Sequence, residues 1–240
     1  MSTDEPSPKR AKEAAAEEVT LWSYWRSSTS YRVRIVLHLK AVAFATQPVN
    51  LLASAQLAPA FEALNPMRAV PVLRIDGLTL VQSSAIIEYL EETRPDHPLL
   101  PAAPAARAVV RAVAAIVSHD VHPVCNLRVA KRVAALVDAN AATAGTGKAA
   151  AREWSAGFVA DGFAAIEALI APVAGAHAVG DAVTLADVYL VTQHYNACRV
   201  GVDMAPYPTI ARVVAAAAAL PAFVAAHPNQ QPDFDPAAGP

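Results

Sequence analysis

The sequence predicts an α/β domain followed by an all-helical one, and three observations carry that expectation. Strand and helix patterns alternate over residues 20–92 in the order β-α-β-α-β-β-α. Prolines 95, 98, 101 and 104 then crowd a short connection, and beyond them the chain is rich in Ala, Val and Leu with helical periodicity and no strand pattern. The expected divisions are a solvated tail over 1–18, an α/β domain over 19–100 and a helical domain over 105–232.

Residues 1–18 mix Pro, Ser, Ala and both charges without periodicity, too little apolar surface to order a segment. A short strand is read from Leu21 onward, followed by a turn and four consecutive hydroxyl residues, Ser27, Ser28, Thr29 and Ser30. Val33, Val36 and Leu37 then fall at i, i+3, i+4, and Ile35 with Leu39 adds a second pair, so a helix begins near Ser28 to Ser30. At such a start the backbone N–H groups lack intrahelical partners and the dipole is positive. One hydroxyl suffices as a cap. Two readings stand: a cap with turn-filling neighbours, or an anion site where amide dipoles and hydroxyls lower a thiol's pKa.

Ala43 to Val49 supplies a second strand and Leu57 to Leu64 a short helix closed by Asn65-Pro66. Val70 to Ile75 and Leu78 to Val81 flank Asp76-Gly77, a strong hairpin signal. Pro71 sits inside the first of these, which places it at an edge, at a bulge or in a cis peptide. Gln82 to Glu92 reads as a helix with Ile86, Ile87 and Leu90 on one stripe and Ser83 as its N-cap. Ile86 occupies the place where a capping box puts Glu or Gln, so this terminus stands open to an external carboxylate. Thr184-Leu185-Ala186-Asp187 satisfies the box and reads as structural. In the helical part Ala144 to Gly147 marks a loop, Trp154 to Ile170 and Leu185 to Cys198 are long helices, and 213–220 fills a last one; no internal repeat is visible.

A hydrophobic content of 55% over 240 residues is ample for a packed core. Lys+Arg 19 against Asp+Glu 21 leaves a net charge of −2 and no basic field to attract nucleic acid. Cys125 and Cys198 lie far apart without a C-x-x-C, which suits free thiols in a reducing compartment. The N-terminus lacks the apolar stretch of a secretory signal, and the uncharged run Val213 to Ala226, interrupted by Pro221, is too short for a membrane span. A cytoplasmic protein with neither nucleic-acid nor membrane partner is expected. His119 and His122 are three apart with no third ligand at metal spacing, so they are expected to be surface or structural and no metal is assigned. Ser27 has no G-x-S-x-G elbow to make it an acyl nucleophile. Trp22, Trp25 and Tyr31 are expected in the core, and Arg32 and Arg34 on a helix surface or a domain interface.

Arg26-Ser-Ser-Thr-Ser-Tyr-Arg-Val-Arg-Ile35 closely resembles the Ser-Ser-Cys-Ser-x-Arg-Val-Arg-Ile stretch of the zeta-class glutathione transferases, the maleylacetoacetate isomerases. Asn65 to Leu73, Ile86 to Glu92 and Gly201 to Ile210 are similar to other stretches of that class, and the resemblance covers roughly residues 20–232. It implies a thioredoxin-like glutathione-binding domain joined to a helical substrate-binding domain, in a homodimer. It also implies glutathione-dependent cis-trans isomerisation of a small molecule, maleylacetoacetate, to fumarylacetoacetate by thiolate addition, rotation and elimination, a step of tyrosine and phenylalanine catabolism. By position Ser27 is the thiol-activating serine, with Ser28 as a second donor, and Arg199 binds the substrate's carboxylate. Val70, before an implied cis-Pro71, pairs with the cysteinyl part of glutathione, Gln82 and Ser83 hold its γ-glutamyl end, Gln56 reaches its glycyl end, and Asn126 matches an Asn of the family site. Two positions depart: Thr29 replaces a cysteine and Cys125 a glutamine. A transferase or dehalogenase acting on α-halo acids or other electrophiles, and a non-catalytic glutathione-fold module, are the alternatives.

Overall fold

The computed structural model describes residues 18–238; the expected tail lies, apart from Glu18, outside the described residues. Four strands, β1 (Thr20–Ser23), β2 (Ala45–Pro48), β3 (Val72–Ile75) and β4 (Leu78–Val81), form one sheet in the order β2-β1-β3-β4. β1 runs parallel to β2 and antiparallel to β3, and β3 pairs antiparallel with β4. The turn between β3 and β4 has φ of 54° at Asp76 and 74° at Gly77, both left-handed, as a two-residue hairpin requires. Helices α1 (Ser28–Leu39), α2 (Pro59–Leu64) and α3 (Ser83–Thr93) complete this part, giving the predicted βαβαββα order.

The alternation of β3 separates two apolar clusters. Leu73 and Ile75 face α1 and α3 and join Leu21, Ile35, Ile86 and Leu90 in the main core. Val72 points the other way, into a smaller cluster with Tyr24, Trp25, Val49, Phe61 and Val70. Trp25 and Tyr31 are buried, as expected of core aromatics.

The remainder of the chain is helical: α4 (Pro104–Ala115), α5 (His122–Cys125), α6 (Leu127–Asp138), α7 (Gly147–Ile170), α8 (Leu185–Val200), α9 (Pro208–Ala218) and α10 (Pro221–Ala226). α7 begins well before the Trp154 expected from apolar periodicity; Gly145 and Gly147 both donate their N–H to Asp138 Oδ1, which fixes the turn into it. The capping box of α8 is present, with Asp187 Oδ2 accepting from both the Thr184 N–H and its hydroxyl. Ile116–Val121 is a π-helical turn seated against Gly162 of α7, where a side chain would collide with Val121. The stretch Pro104–Asp138 has the length and apolar composition of a membrane span, but this π turn, Pro123 and the Asn126 cap break it, and its helices pack on α7 and α8.

Arg32 and Arg34 occupy the joint between the two parts. The expectation of a helix surface fails for both and that of an interface holds: Arg32 is 1% exposed and Arg34 0%. Arg34 donates to Ala226 O (2.9 Å), Ser23 Oγ (3.0 Å) and Trp25 O (3.1 Å). Arg32 donates to Thr192 Oγ1 (3.4 Å) and stacks over Tyr189. Burial pushes both guanidinium pKa values down to about 10, leaving them charged at neutral pH. Lys40 is a third buried cation; its ammonium meets Glu91 at 2.6 Å and the Arg94 carbonyl at 2.8 Å. Glu91 in turn accepts from the N–H groups of Leu99 and Leu100, which pins the proline-rich connection to α3.

Candidate active site

Pairing of Trp22 with Val72 and of Val72 with Val81 brings the C-terminal ends of β1 and β4 and the N-terminal end of β3 to one end of the sheet. The connections leaving that end carry Arg26 and Ser27, the Val70-Pro71 peptide, and Gln82. The peptide is cis, one of the three alternatives open for Pro71; the edge reading is corrected, because β3 is an inner strand and Pro71 lies just before it.

Ser27 is the N-cap of α1, its Oγ accepting from the Ser30 N–H at 3.2 Å. The same oxygen lies 2.8 Å from Thr29 Oγ1, which donates its own hydrogen to Val70 O at 3.1 Å. A hydroxyl has one hydrogen, so the polarity is settled: Ser27 donates to Thr29, and Thr29 to the loop of the cis proline. Thr29, standing where the resembling stretch has cysteine, thus ties the helix start to Val70. The capping reading and the anion reading are compatible, because the cap uses a lone pair of Ser27 and leaves its hydrogen free to turn to a stronger acceptor.

Ser28 is buried and opens α1. It accepts from Asn196 Nδ2 of α8 at 2.9 Å, and His122 Nδ1 lies 3.4 Å away. Desolvation, helped by the charge of Arg32, pushes His122 down to about 3, so the ring is neutral in this contact. His122 is half-buried and engaged at the joint, which fits the structural one of the two expected roles.

For α3 the N-cap is Gln82 rather than the expected Ser83, with Gln82 at φ 70° and ψ 117° and Ser83 as the first helical residue. The correction shifts the cap by one residue and preserves the argument: no side chain caps this terminus and no acid stands in the first turn. A glutamine held in left-handed backbone is a locally strained arrangement of the kind that clusters at ligand sites. Gln56, in a 3₁₀ turn at Ala55–Leu57, has a buried Oε1 with no partner among the described residues. Asn126 is engaged as the N-cap of α6, its Oδ1 accepting from the Arg128 N–H at 3.2 Å, one turn beyond His122.

Arg199, in the last turn of α8, packs over Tyr195 (5.8 Å) and its buried Nε has no partner among the described residues. Burial and then the positive charge of Arg26 lower its pKa, which places the two guanidinium groups within each other's field. Arg26 stacks over Trp25 at 5.1 Å. The backbone N–H of Trp25 donates to Asp233 Oδ2 at 3.0 Å, and Phe234 meets the Trp25 ring edge-on at 5.1 Å, so the end of the chain braces this turn. Neither cysteine is placed to serve the helix start as a thiolate: Cys125 Sγ is bonded to Ser155 O, Cys198 Sγ lies against His194, and burial raises both thiol pKa values. A thiolate at α1 has to come with a ligand.

The structure thus gathers Ser27, Ser28, Val70 and Arg199 with Arg26, His122, Asn196 and Asp233, four residues absent from the sequence-derived site. Arg26 was legible as the neighbour of Ser27, and Asn196 lies one helical turn before Arg199; nothing local marks His122 or Asp233.

Residues 26–93 match the family model of the glutathione S-transferase N-terminal domain. The chain is 49% identical to a maleylacetoacetate isomerase of Rhizobium meliloti over 90% of its own length and 98% of that protein. It is 44% identical to a solved maleyl pyruvate isomerase, a bacterial glutathione S-transferase of the zeta class, with a TM-score of 0.85 over 90% of this chain and 100% of that one. A maleylacetoacetate isomerase from Anaeromyxobacter dehalogenans, solved with bound glutathione, is 46% identical with a TM-score of 0.79 over 91% of this chain and 98% of that one. The chain belongs to the maleylacetoacetate isomerase family, the zeta class of the glutathione transferases.

Proposed function

We propose that this protein is a glutathione-dependent isomerase that converts maleylacetoacetate to fumarylacetoacetate. The observation that carries the proposal is the conjunction at one end of the sheet of a hydroxyl-lined helix N-terminus, a cis-proline loop and two guanidinium groups. The residues present fit glutathione: the N-terminus of α3 is uncapped and without acid, Gln56 Oε1 and Arg199 Nε are buried without described partners, and no cysteine of the chain competes for α1. Gln82 and Ser83 would hold the γ-glutamyl carboxylate, Val70 the cysteinyl backbone and Gln56 the glycyl end; Asn126, committed to its cap through Oδ1, has its amide hydrogens to offer. When bound, glutathione supplies a thiolate that adds to the cis double bond, permits rotation about what has become a single bond and leaves again, so none is consumed.

The chain's own part is to hold that sulfur as an anion and to orient the substrate. A thiol with pKa near 8.5 is mostly protonated at neutral pH, and lowering it by about two units requires about 2.7 kcal/mol. A hydrogen bond from Ser27 to a charged acceptor is worth about 1.5–3 kcal/mol, and the unpaired amides of the first turn of α1 add to it. Arg26 and Arg199 offer two charged, planar donors to a substrate that carries two carboxylates, which fixes the carbon presented to the sulfur. The homodimer rests on the resemblance in sequence and the cytoplasmic location on two cysteines whose spacing suits a reducing compartment; light scattering of the purified protein tests the first.

The test is turnover of maleylacetoacetate with catalytic glutathione, following product and total free thiol together. Turnover at constant thiol establishes the isomerase. Glutathione binding without turnover, or thiol loss with α-halo acids alone, refutes it in favour of a binding module or a dehalogenase. Maleylpyruvate belongs in the same assay, because a relative 45% identical over 89% of this chain is a maleylpyruvate isomerase.

A further inference from the structure

α8 turns one stripe of side chains, Tyr189, Thr192, Asn196 and Arg199, toward the sheet-containing part, at helical spacings of three and four. Each meets a different piece of it. Tyr189 donates its hydroxyl to Ser84 in the first turn of α3 (3.1 Å), Thr192 accepts from Arg32 (3.4 Å), and Asn196 Nδ2 donates to Ser28 Oγ (2.9 Å). Arg199 stands in the field of Arg26. Ser28 Oγ has two lone pairs and one hydrogen, and Asn196 occupies a lone pair. His122 Nδ1, at 3.4 Å, is the other polar side-chain atom against it: in one tautomer it is a neutral acceptor that yields readily to an anion, and in the other it donates to the second lone pair and leaves the serine hydrogen free.

We infer that Asn196 is a positioning residue for thiol activation: by donating to Ser28 it fixes that hydroxyl as an acceptor on the α8 side and leaves its hydrogen for the thiolate at the start of α1. The inference deepens the glutathione-dependent reading and rests on it. The helix that carries the substrate's arginine thereby also sets the acidity of the thiol.

The experiment titrates the thiol of glutathione in its binary complex, without substrate, by thiolate ultraviolet absorbance. Wild type is compared with N196D, N196A, S28A and the S28A/N196A double variant. N196D is isosteric but can only accept, so it takes the hydrogen of Ser28 for itself. The expected result is a bound-thiol pKa raised by about half a unit or more in N196D, N196A and S28A, with no further rise in the double variant. A wild-type titration in N196D, or shifts that simply add in the double variant, overturns the inference while leaving the glutathione reading intact. Wild type that binds no glutathione, or binds it without a lowered thiol pKa, overturns both.

Discussion

Replacing Ser27 separates two duties of one hydroxyl, the cap and the proposed thiolate donation. As N-cap its Oγ accepts from the Ser30 N–H at 3.2 Å, and in the proposed role its hydrogen, engaged with Thr29 at 2.8 Å, would turn to a bound thiolate. Ser27→Ala removes both. Loss of the cap costs about 1 kcal/mol, a fall in Tm of roughly 2–4 °C for a chain of this size. Loss of a charged hydrogen bond of about 1.5–3 kcal/mol raises the bound thiol pKa by roughly one to two units. Near pH 6.5 the reactive fraction, and with it kcat, falls by about fivefold to fiftyfold, and the deficit narrows as pH rises through the new thiol pKa. Ser27→Gly is the control, because glycine at an N-cap costs only a few tenths of a kcal/mol relative to serine. It should restore the melting temperature and not the rate. The assays are differential scanning calorimetry and a pH–rate profile on the same preparations. Rates that recover in Ser27→Gly, or a bound-thiol pKa that both variants leave unmoved, would refute the donor role and leave Ser27 as a cap alone.

Arg199→Ala should lower kcat/KM by about tenfold to a hundredfold through loss of a charged hydrogen bond, while the glutathione dissociation constant from calorimetry changes less than about twofold. Asp76, paired with Arg94 at 2.6 Å and accepting from the Tyr89 hydroxyl, has its pKa lowered to about 2 by the hydrogen bonds from Arg94 and then Tyr89. A depressed carboxyl pKa contributes stability above its unfolded value near 3.8 that is lost as pH falls toward 2. Asp76→Asn, which tolerates the left-handed turn, should therefore be destabilised by less than about 1 kcal/mol in urea melts at pH 6, and the difference should vanish by about pH 2. Lys40→Met leaves Glu91 buried without its cation and should cost about 3–5 kcal/mol at neutral pH; a loss under about 1 kcal/mol in the same melts would show that the ion pair is dispensable.

The alternation of strand and helix, the Asp-Gly hairpin and the hydroxyl-rich start of α1 were all legible, because each is written in local spacing. Its own spacing narrowed Pro71 to three states only, since the choice depends on which strands flank β3, and it was the resemblance in sequence that singled out the cis form found here. Gln82 escaped as N-cap because a glutamine in left-handed backbone contradicts its own preference, and only the surrounding fold holds it there. Arg32 and Arg34 were misjudged in part for a related reason. A charge on a helix is exposed by default, and its burial is decided by carbonyls and hydroxyls far along the chain. Asn196 of α8, His122 at the start of α5 and Asp233 near the C-terminal end carried no mark of their partners.

Arg34 draws its acceptors from Ser23 and Trp25 nearby and from Ala226, 192 residues away. The bond to Ala226 completes the guanidinium's set of acceptors, and a contact spanning most of the described chain is of the slowest kind to form in folding. The same cation therefore ties the turn before the proposed thiol-activating Ser27 to α10, so the proposed site and the joint between the two parts are expected to be completed together.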